Sequence, residues 1–432
     1  MKFKVAMLSY HTCPLATLGG KDTGGMNVYV REVTHKLGEK GVHVDVFTRS
    51  QDEHVPHVLH DLGYGNRVVH IPAGPEIPLP KPVLSNYLEE FVAGVEAFAA
   101  GKGIHYDLVH SHYWMSGVAG LYLKNKWNIP LVHMFHTLGI MKNRVAQTPG
   151  EIESDYRIAG ERKVLVDANH VIAATPAELA QLQFLYQADS RRITIIPPGV
   201  DTSRFYPIPM DEAKEYIGVP PCGRMLLFVG RIEPLKGLDI LLQAIAYMRK
   251  QPELSDLQFC LTVIGGDPEA GNPNQEMQRI QSLREQFGLQ DLVTFLGKKS
   301  QETLPYYYSA ADAVVVPSFY ESFGMVALEA MACGTPVVAS QVGGLAYLVK
   351  DGETGFTVPV DDPVALAEPL TRILREDGLR SRLAKRASEE AQSYSWEHIS
   401  SQLIRVYQRF SKEPITDALQ PDLQLDADGL LR

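Results

Sequence analysis

Glu321 and Glu329 stand with seven residues between them in the stretch Phe319-Tyr320-Glu321-Ser322-Phe323-Gly324-Met325-Val326-Ala327-Leu328-Glu329. The apolar run Asp312-Ala313-Val314-Val315-Val316-Pro317-Ser318 before it reads as a buried parallel strand ending at the proline, and from Phe323 the pattern turns helical until Gly334-Thr335-Pro336. A turn between strand and helix lies at the carboxyl edge of an open α/β sheet, where ligands bind, and the N–H groups at Gly324, Met325 and Val326 favour an anion. Carboxylates repel an anion, so here they must face hydroxyls. A sugar nucleotide supplies both: a diphosphate for the N–H groups, with a sugar hydroxyl on one side and a ribose on the other. On its own the pair reads equally well as two solvated helix glutamates.

A second set of charges comes to the same edge. Met225-Leu226-Leu227-Phe228-Val229 reads as a strand, and Arg231 and Lys236 leave its end. They can neutralise a diphosphate leaving group without a metal. No Asp-x-Asp motif stands at a strand end in this region, so no divalent metal and no other cofactor is expected to be required.

The elements that position these groups alternate along the chain. Residues 3–10 form a first strand, and a glycine loop through Gly24 and Gly25 leads to a helix with Met26, Val30, Val33 and Leu37 on one face. Missing β-carbons at Gly24 and Gly25 let a phosphate or sugar approach the backbone, although loop glycines also serve as plain turn formers. The loop is too long for a dinucleotide fingerprint. Further strands are expected at 42–47, 68–71, 107–112, 130–135 and 171–175, with a helix near 83–100. His110, His112 and His136 arrive at one sheet edge. Lys142, Arg144, Arg157, Arg162 and Lys163 make a basic cluster, of which Lys142 and Arg157 are expected to meet a second anion, a phosphate on an acceptor.

The stretch from Ile195 to Pro209 marks a domain boundary, and a second alternating unit follows. Ser395 is expected to cap a last helix whose Trp396, Ile399, Leu403, Val406 and Phe410 form one face. The acidic tail from Lys412 is expected to be flexible.

Composition agrees. The chain has 432 residues, enough for two domains, with 45% hydrophobic and 21% charged residues. Its formal charge of −10 argues against nucleic acid and anionic membranes as partners and for a small molecule. The four cysteines are scattered, with no CxxC pair and no histidines at zinc spacing, which suits a reducing cytoplasm; Cys260 reads as core. No apolar run reaches the length of a membrane span, and the N-terminal run is short for a signal peptide.

Several motifs together resemble one family: Gly24-Gly25-Met26-Asn27-Val28-Tyr29-Val30, His110-Ser111-His112-Tyr113-Trp114, Pro198-Gly199-Val200-Asp201, Gly230-Arg231 with Lys236-Gly237, and Glu321 with Glu329. The chain is similar to the retaining GT-B glycosyltransferases of family four over nearly its whole length. The resemblance implies an α/β fold of two Rossmann-like, doubly wound parallel-sheet domains facing a cleft. The expected divisions are 1–200 for the acceptor, 201–394 for the nucleotide sugar, 395–411 as a helix crossing back, and 412–432 as the tail. It implies Arg231 and Lys236 on the donor diphosphate, Glu321 on the donor sugar, Glu329 on the ribose and His136 holding the donor sugar. Within the family the glycine loop and His110–Trp114 look most like the D-inositol-3-phosphate glycosyltransferases, which would put Asn27, Lys81, Tyr113, Thr137 and Arg157 on the acceptor. The sucrose-phosphate synthases are near relatives sharing the Lys142 and Arg157 type of site; in them a glutamine commonly stands where this chain has Met26.

The implied reaction moves a hexosyl unit from a UDP-sugar to a small phosphorylated polyol or sugar in a cytoplasmic enzyme, with a homodimer as the assembly to test. A glycoside hydrolase also uses paired carboxylates, but it leaves Arg231, Lys236 and the glycine loop without a role. A sugar-nucleotide-binding regulator without turnover is the other reading.

Overall fold

The structure is a computed structural model describing residues 2–16, 24–146, 149–218, 223–266 and 275–415. Most of the glycine loop before Gly24, Cys222 and the tail from residue 416 lie outside the described residues.

Among the described residues fourteen strands form two sheets. The first contains β1 (Lys4–Leu8), β2 (His43–Arg49), β3 (Val58–Leu59), β4 (Arg67–Ile71), β5 (Leu108–His112), β6 (Leu131–Met134), β7 (His170–Ala173) and β8 (Ile193–Ile195), in the order β3-β4-β2-β1-β5-β6-β7-β8. Among the described strands of this sheet β3 alone is antiparallel. The second contains β9 (Arg224–Val229), β10 (Phe259–Ile264), β11 (Val293–Phe295), β12 (Ala313–Val316), β13 (Val337–Ser340) and β14 (Gly355–Val358), all parallel, in the order β11-β10-β9-β12-β13-β14. The central strands are continuous apolar runs because helices cover both faces: Val5, Met7, Leu8, Leu226, Leu227 and Val314 are fully buried.

Strand order reverses between β1 and β5 in the first sheet and between β9 and β12 in the second. Side chains cannot fill the crevice beyond the strand ends at such a point, which makes it the natural ligand site of a doubly wound sheet. The glycine loop follows β1, Tyr113 follows β5, Arg231 follows β9 and Glu321 follows β12.

The chain crosses between the domains twice, side by side: Val200 N–H donates to Tyr394 O at 2.8 Å, and Val200 bridges Ser395. A Cβ on Gly199 would stand 2.7 Å from the Trp396 ring, so the crossing needs glycine there. Ser395 caps the last helix, Trp396–Gln408, by accepting from His398 N–H, as expected. That helix returns to the first domain. Trp396 meets Tyr29 edge-on with centroids 5.6 Å apart, Lys40 pairs with Glu397, and Tyr407 OH lies 2.6 Å from His110 Nδ1.

Several expectations change in detail. The helix near 83–100 is broken into Lys81–Leu84, a 3-10 turn at Ser85–Tyr87, and Leu88–Lys102. The helix after Glu321 begins only at Met325 and not at Phe323, so Glu329 lies little more than one turn along it. Strands β3, β8 and β14 come from segments with no strong apolar run. Cys13 and Cys333 are free thiols, but Cys260, read as a core thiol, is disulfide-bonded and only partly buried. Among the described residues no helix is long and apolar enough to cross a membrane.

Candidate active site

A cavity of about 380 Å³ opens where the two sheet edges face each other. Of the groups the sequence brings to this edge, His110, His112, Lys142 and Arg157 do not line it; Gly24, Gly25, Asn27, Lys81, Tyr113, His136 and Thr137 from the first domain, and Arg231, Lys236, Glu321, Gly324, Met325, Val326 and Glu329 from the second, do.

On the second domain two turns are stitched together. Phe319 N–H donates to Leu235 O at 2.9 Å, and Gly237, at φ +65°, lies so close under the strand end that a Cβ would fall 2.0 Å from Pro317 O. This brings Lys236 Nζ to 2.5 Å from Glu321 Oε2. Arg231 Nη1 pairs with Glu233 at 2.8 Å. Gly324 takes φ +106° at the entrance of the helix Met325–Ala332, a conformation that favours glycine, and a Cβ there would clash with Leu345 at 2.6 Å. The free N–H groups of that helix therefore face the cleft. Glu329 is 6% exposed, accepts from Tyr308 OH at 2.8 Å, and is pushed up to about 7 by burial.

The first domain meets this surface at Gly25, whose added Cβ would be 3.2 Å from Met325 Cγ. Asn27 is 1% exposed, and its amide is fully engaged. Its Oδ1 accepts from Gly24 N–H at 2.9 Å, and its Nδ2 donates to Thr12 Oγ1 and Cys13 O at 2.7 Å each. It ties Gly24 to Thr12 and Cys13.

His136 sits at φ +62° with Nε2 2.9 Å from His112 Nδ1. Burial holds His136 at about 3 and His110, with His136 nearby, also at about 3; His112 and His133 are driven well below the usual value, chiefly by burial. All four are neutral near pH 7. His110 belongs to the last helix through Tyr407 and does not line the cleft.

Arg157, 2% exposed, stands directly behind Tyr113 and Thr137 and organises the far wall. Its guanidinium lies 5.0 Å from the Tyr113 ring centre, donates to Tyr113 OH at 3.2 Å and to Thr137 O and Oγ1 at 3.0 Å, and pairs with Glu161 at 2.8 Å. Lys81 Nζ is 5.8 Å from the same ring. Glu153 joins Lys142 to Arg157, at 2.5 and 2.7 Å.

Sequence reasoning missed Gly265, Gly266, Lys298, Lys299, Gln301 and Ser318, which also line the cavity. Gly265-Gly266 at the end of β10 carries the same signal as Gly24-Gly25 and was findable. Ser318 has a buried hydroxyl with no hydrogen-bond partner among the described residues. Gln301 Oε1 accepts from Arg31 at 2.6 Å and Arg204 at 3.1 Å, which ties the domains together; nothing local in the sequence marks it.

Two facing Rossmann-like sheets with a polar cleft between their strand ends define a GT-B glycosyltransferase. Comparison with known proteins agrees: residues 23–204 match Glycosyltransferase Family 4 and residues 210–390 match Glycosyl transferases group 1. The D-inositol 3-phosphate glycosyltransferase of Actinosynnema mirum is 41% identical over 94% of this chain and 96% of its own. The sucrose-phosphate synthase structure from Thermosynechococcus elongatus has a TM-score of 0.86 and 36% identity, covering 94% of this chain and 98% of its own. The HepE structure from Anabaena in complex with UDP and glucose has a TM-score of 0.71 at 20% identity, covering 94% and 100%, and shares the fold. The chain belongs to the family four glycosyltransferases.

Proposed function

We propose that the protein transfers a hexosyl unit from a UDP-sugar to a small phosphorylated acceptor with retained anomeric configuration, the pair being UDP-N-acetylglucosamine and 1D-myo-inositol 3-phosphate. The observation that carries this is the division of the cleft. Arg231, Lys236 and a helix entrance stand on one wall, and Lys81, Tyr113 and Thr137, backed by Arg157, stand on the other. The names of the relatives support the acceptor class.

In this reading Gly24 and Gly25 admit the donor close to the backbone, Glu329 accepts from the ribose, and Glu321 and His136 hold the sugar. The bond from the sugar C1 to the β-phosphate oxygen breaks, the acceptor oxygen bonds C1 on the same face, and the acceptor proton passes to the departing phosphate oxygen. Charge grows on the diphosphate, where Arg231, Lys236 and the N–H groups after Gly324 stabilise it electrostatically. His136 is too weak a base to take the proton. These cations do the work for which a metal would otherwise serve, so turnover is expected to survive a chelator. The cytoplasmic assignment rests on the UDP-sugar requirement and not on the cysteines.

The similarity to sucrose-phosphate synthase favours a second reading, UDP-glucose with fructose 6-phosphate. NMR of the isolated product tests the reaction type. Retention at the anomeric carbon is expected; inversion, or a trapped covalent glycosyl-enzyme, overturns the front-face mechanism.

A further inference from the structure

Lys142 and Arg157, the pair expected from the sequence to meet the acceptor phosphate, already hold an anion supplied by the chain itself. Glu153 Oε1 lies 2.5 Å from Lys142 Nζ and 2.7 Å from Arg157 Nη1. Its backbone is held in place by Asn143, whose Oδ1 accepts from Glu153 N–H at 2.6 Å and whose Nδ2 donates to Glu153 O at 3.2 Å. Arg157 is also held on its other side by Glu161, which in turn accepts from Gly139 N–H and Tyr186 OH, so Glu161 is built into the wall. Glu153 differs. Its side chain is 23% exposed and Lys142 is 30% exposed, so this carboxylate can leave into solvent while Glu161 cannot.

We propose that Glu153 is a specificity-determining residue that occupies the acceptor-phosphate position as an internal competitor. A carboxylate and a phosphate oxygen satisfy the same two cations with the same charge-assisted geometry. A dianionic phosphate offers more charge and more acceptor oxygens than one carboxylate and displaces it; a neutral polyol or a monocarboxylate does not. Glu153 thus lowers affinity for ligands that must displace it by the fraction of molecules in which it is bound, and a ligand too weakly charged to displace it gains nothing from the two cations. The inference rests on the phosphorylated-acceptor reading and holds for either acceptor.

The test is calorimetric titration of inorganic phosphate into the full-length protein and its Glu153→Gln variant, with KM for the phosphorylated acceptor measured alongside. Glutamine keeps the size and the hydrogen-bonding oxygen but loses the charge. Phosphate is expected to bind about tenfold more tightly to the variant, with KM falling in parallel and kcat unchanged. Glu153→Asp, one methylene too short to bridge both cations, is expected to lie between and serves if the first variant folds poorly. Equal or weaker phosphate binding in well-folded variants overturns the inference alone. Absence of phosphate binding in parent and variants overturns the acceptor reading and the inference with it.

Discussion

Lys236 and Glu321, 85 positions apart in the chain, share a 2.5 Å hydrogen bond across the strand ends of the second sheet. On the proposed reading one meets the donor diphosphate and the other the donor sugar. Donor binding must exchange this pair for ligand contacts. Lys236→Ala is therefore expected to lower kcat/KM by about 10²-fold or more, the scale of losing one transition-state cation. Melting should hardly change, because the pair lies at the cleft, 23% and 18% exposed, where Glu321 can turn to solvent once Lys236 is gone. Steady-state kinetics with a melting curve checks this; unchanged kcat/KM would remove Lys236 from the reaction.

Burial holds Glu329 near 7 against its ordinary value of 4.5. Between those values the folded chain keeps the proton and the unfolded chain does not, so stability falls as pH rises from about 4.5 to 7, and the penalty is complete above 7. Glu329→Gln removes it. The variant is expected to be more stable than the parent at pH 8, by about 3 kcal/mol, with the difference vanishing near pH 4.5. If the ionised carboxylate receives the ribose hydroxyls, parental UDP affinity weakens as pH falls below 7, by up to about tenfold per unit. Denaturation and calorimetry at both pH values measure the two effects.

His136 takes a left-handed backbone conformation and has its Nε2 on His112 Nδ1. His112→Phe keeps the ring volume and removes the anchor. We expect kcat to fall about tenfold through loss of positioning, with KM little changed. Because His136 stays neutral down to about 3, the parental kcat profile should show no histidine limb between pH 5.5 and 7.5. A limb near 6.5 that disappears in His136→Asn would show that His136 titrates in the reaction.

The last helix closes the molecule through Trp396 and Tyr407, both buried. Trp396→Ala is expected to cost about 3–5 kcal/mol by opening a cavity against Tyr29. Tyr407→Phe should cost about 1 kcal/mol by removing the hydrogen bond to His110. Chemical denaturation of the two variants tests the ranking.

What the sequence made legible follows from which interactions are local. The strands β1, β5, β9 and β12 announce themselves by apolar runs, and their ends carry Gly24, Tyr113, Arg231 and Glu321, so the cleft could be drawn before the fold was known. Weak edge strands β3 and β14 depend on neighbours for burial and carry no such pattern. Partners were harder than positions. Asn27 spends its amide on Thr12, Cys13 and Gly24. His110 serves a helix almost three hundred residues away, and the cation of Lys142 is met by Glu153. Each is a contact between segments whose meeting only the folded chain reveals. The acidic residues before Arg157 were visible in sequence, but their place against the basic pair was not.

The most direct test of the account is release of UDP from UDP-N-acetylglucosamine and from UDP-glucose, each offered 1L-myo-inositol 1-phosphate, which is 1D-myo-inositol 3-phosphate by the other numbering, or fructose 6-phosphate. The account predicts acceptor-dependent release with a phosphorylated acceptor, fastest with the N-acetylglucosamine donor and the inositol phosphate. Release confined to UDP-glucose and fructose 6-phosphate would move the substrate pair and leave the cleft assignment standing. Absence of turnover with any phosphorylated acceptor, alongside turnover of their unphosphorylated counterparts, would contradict it.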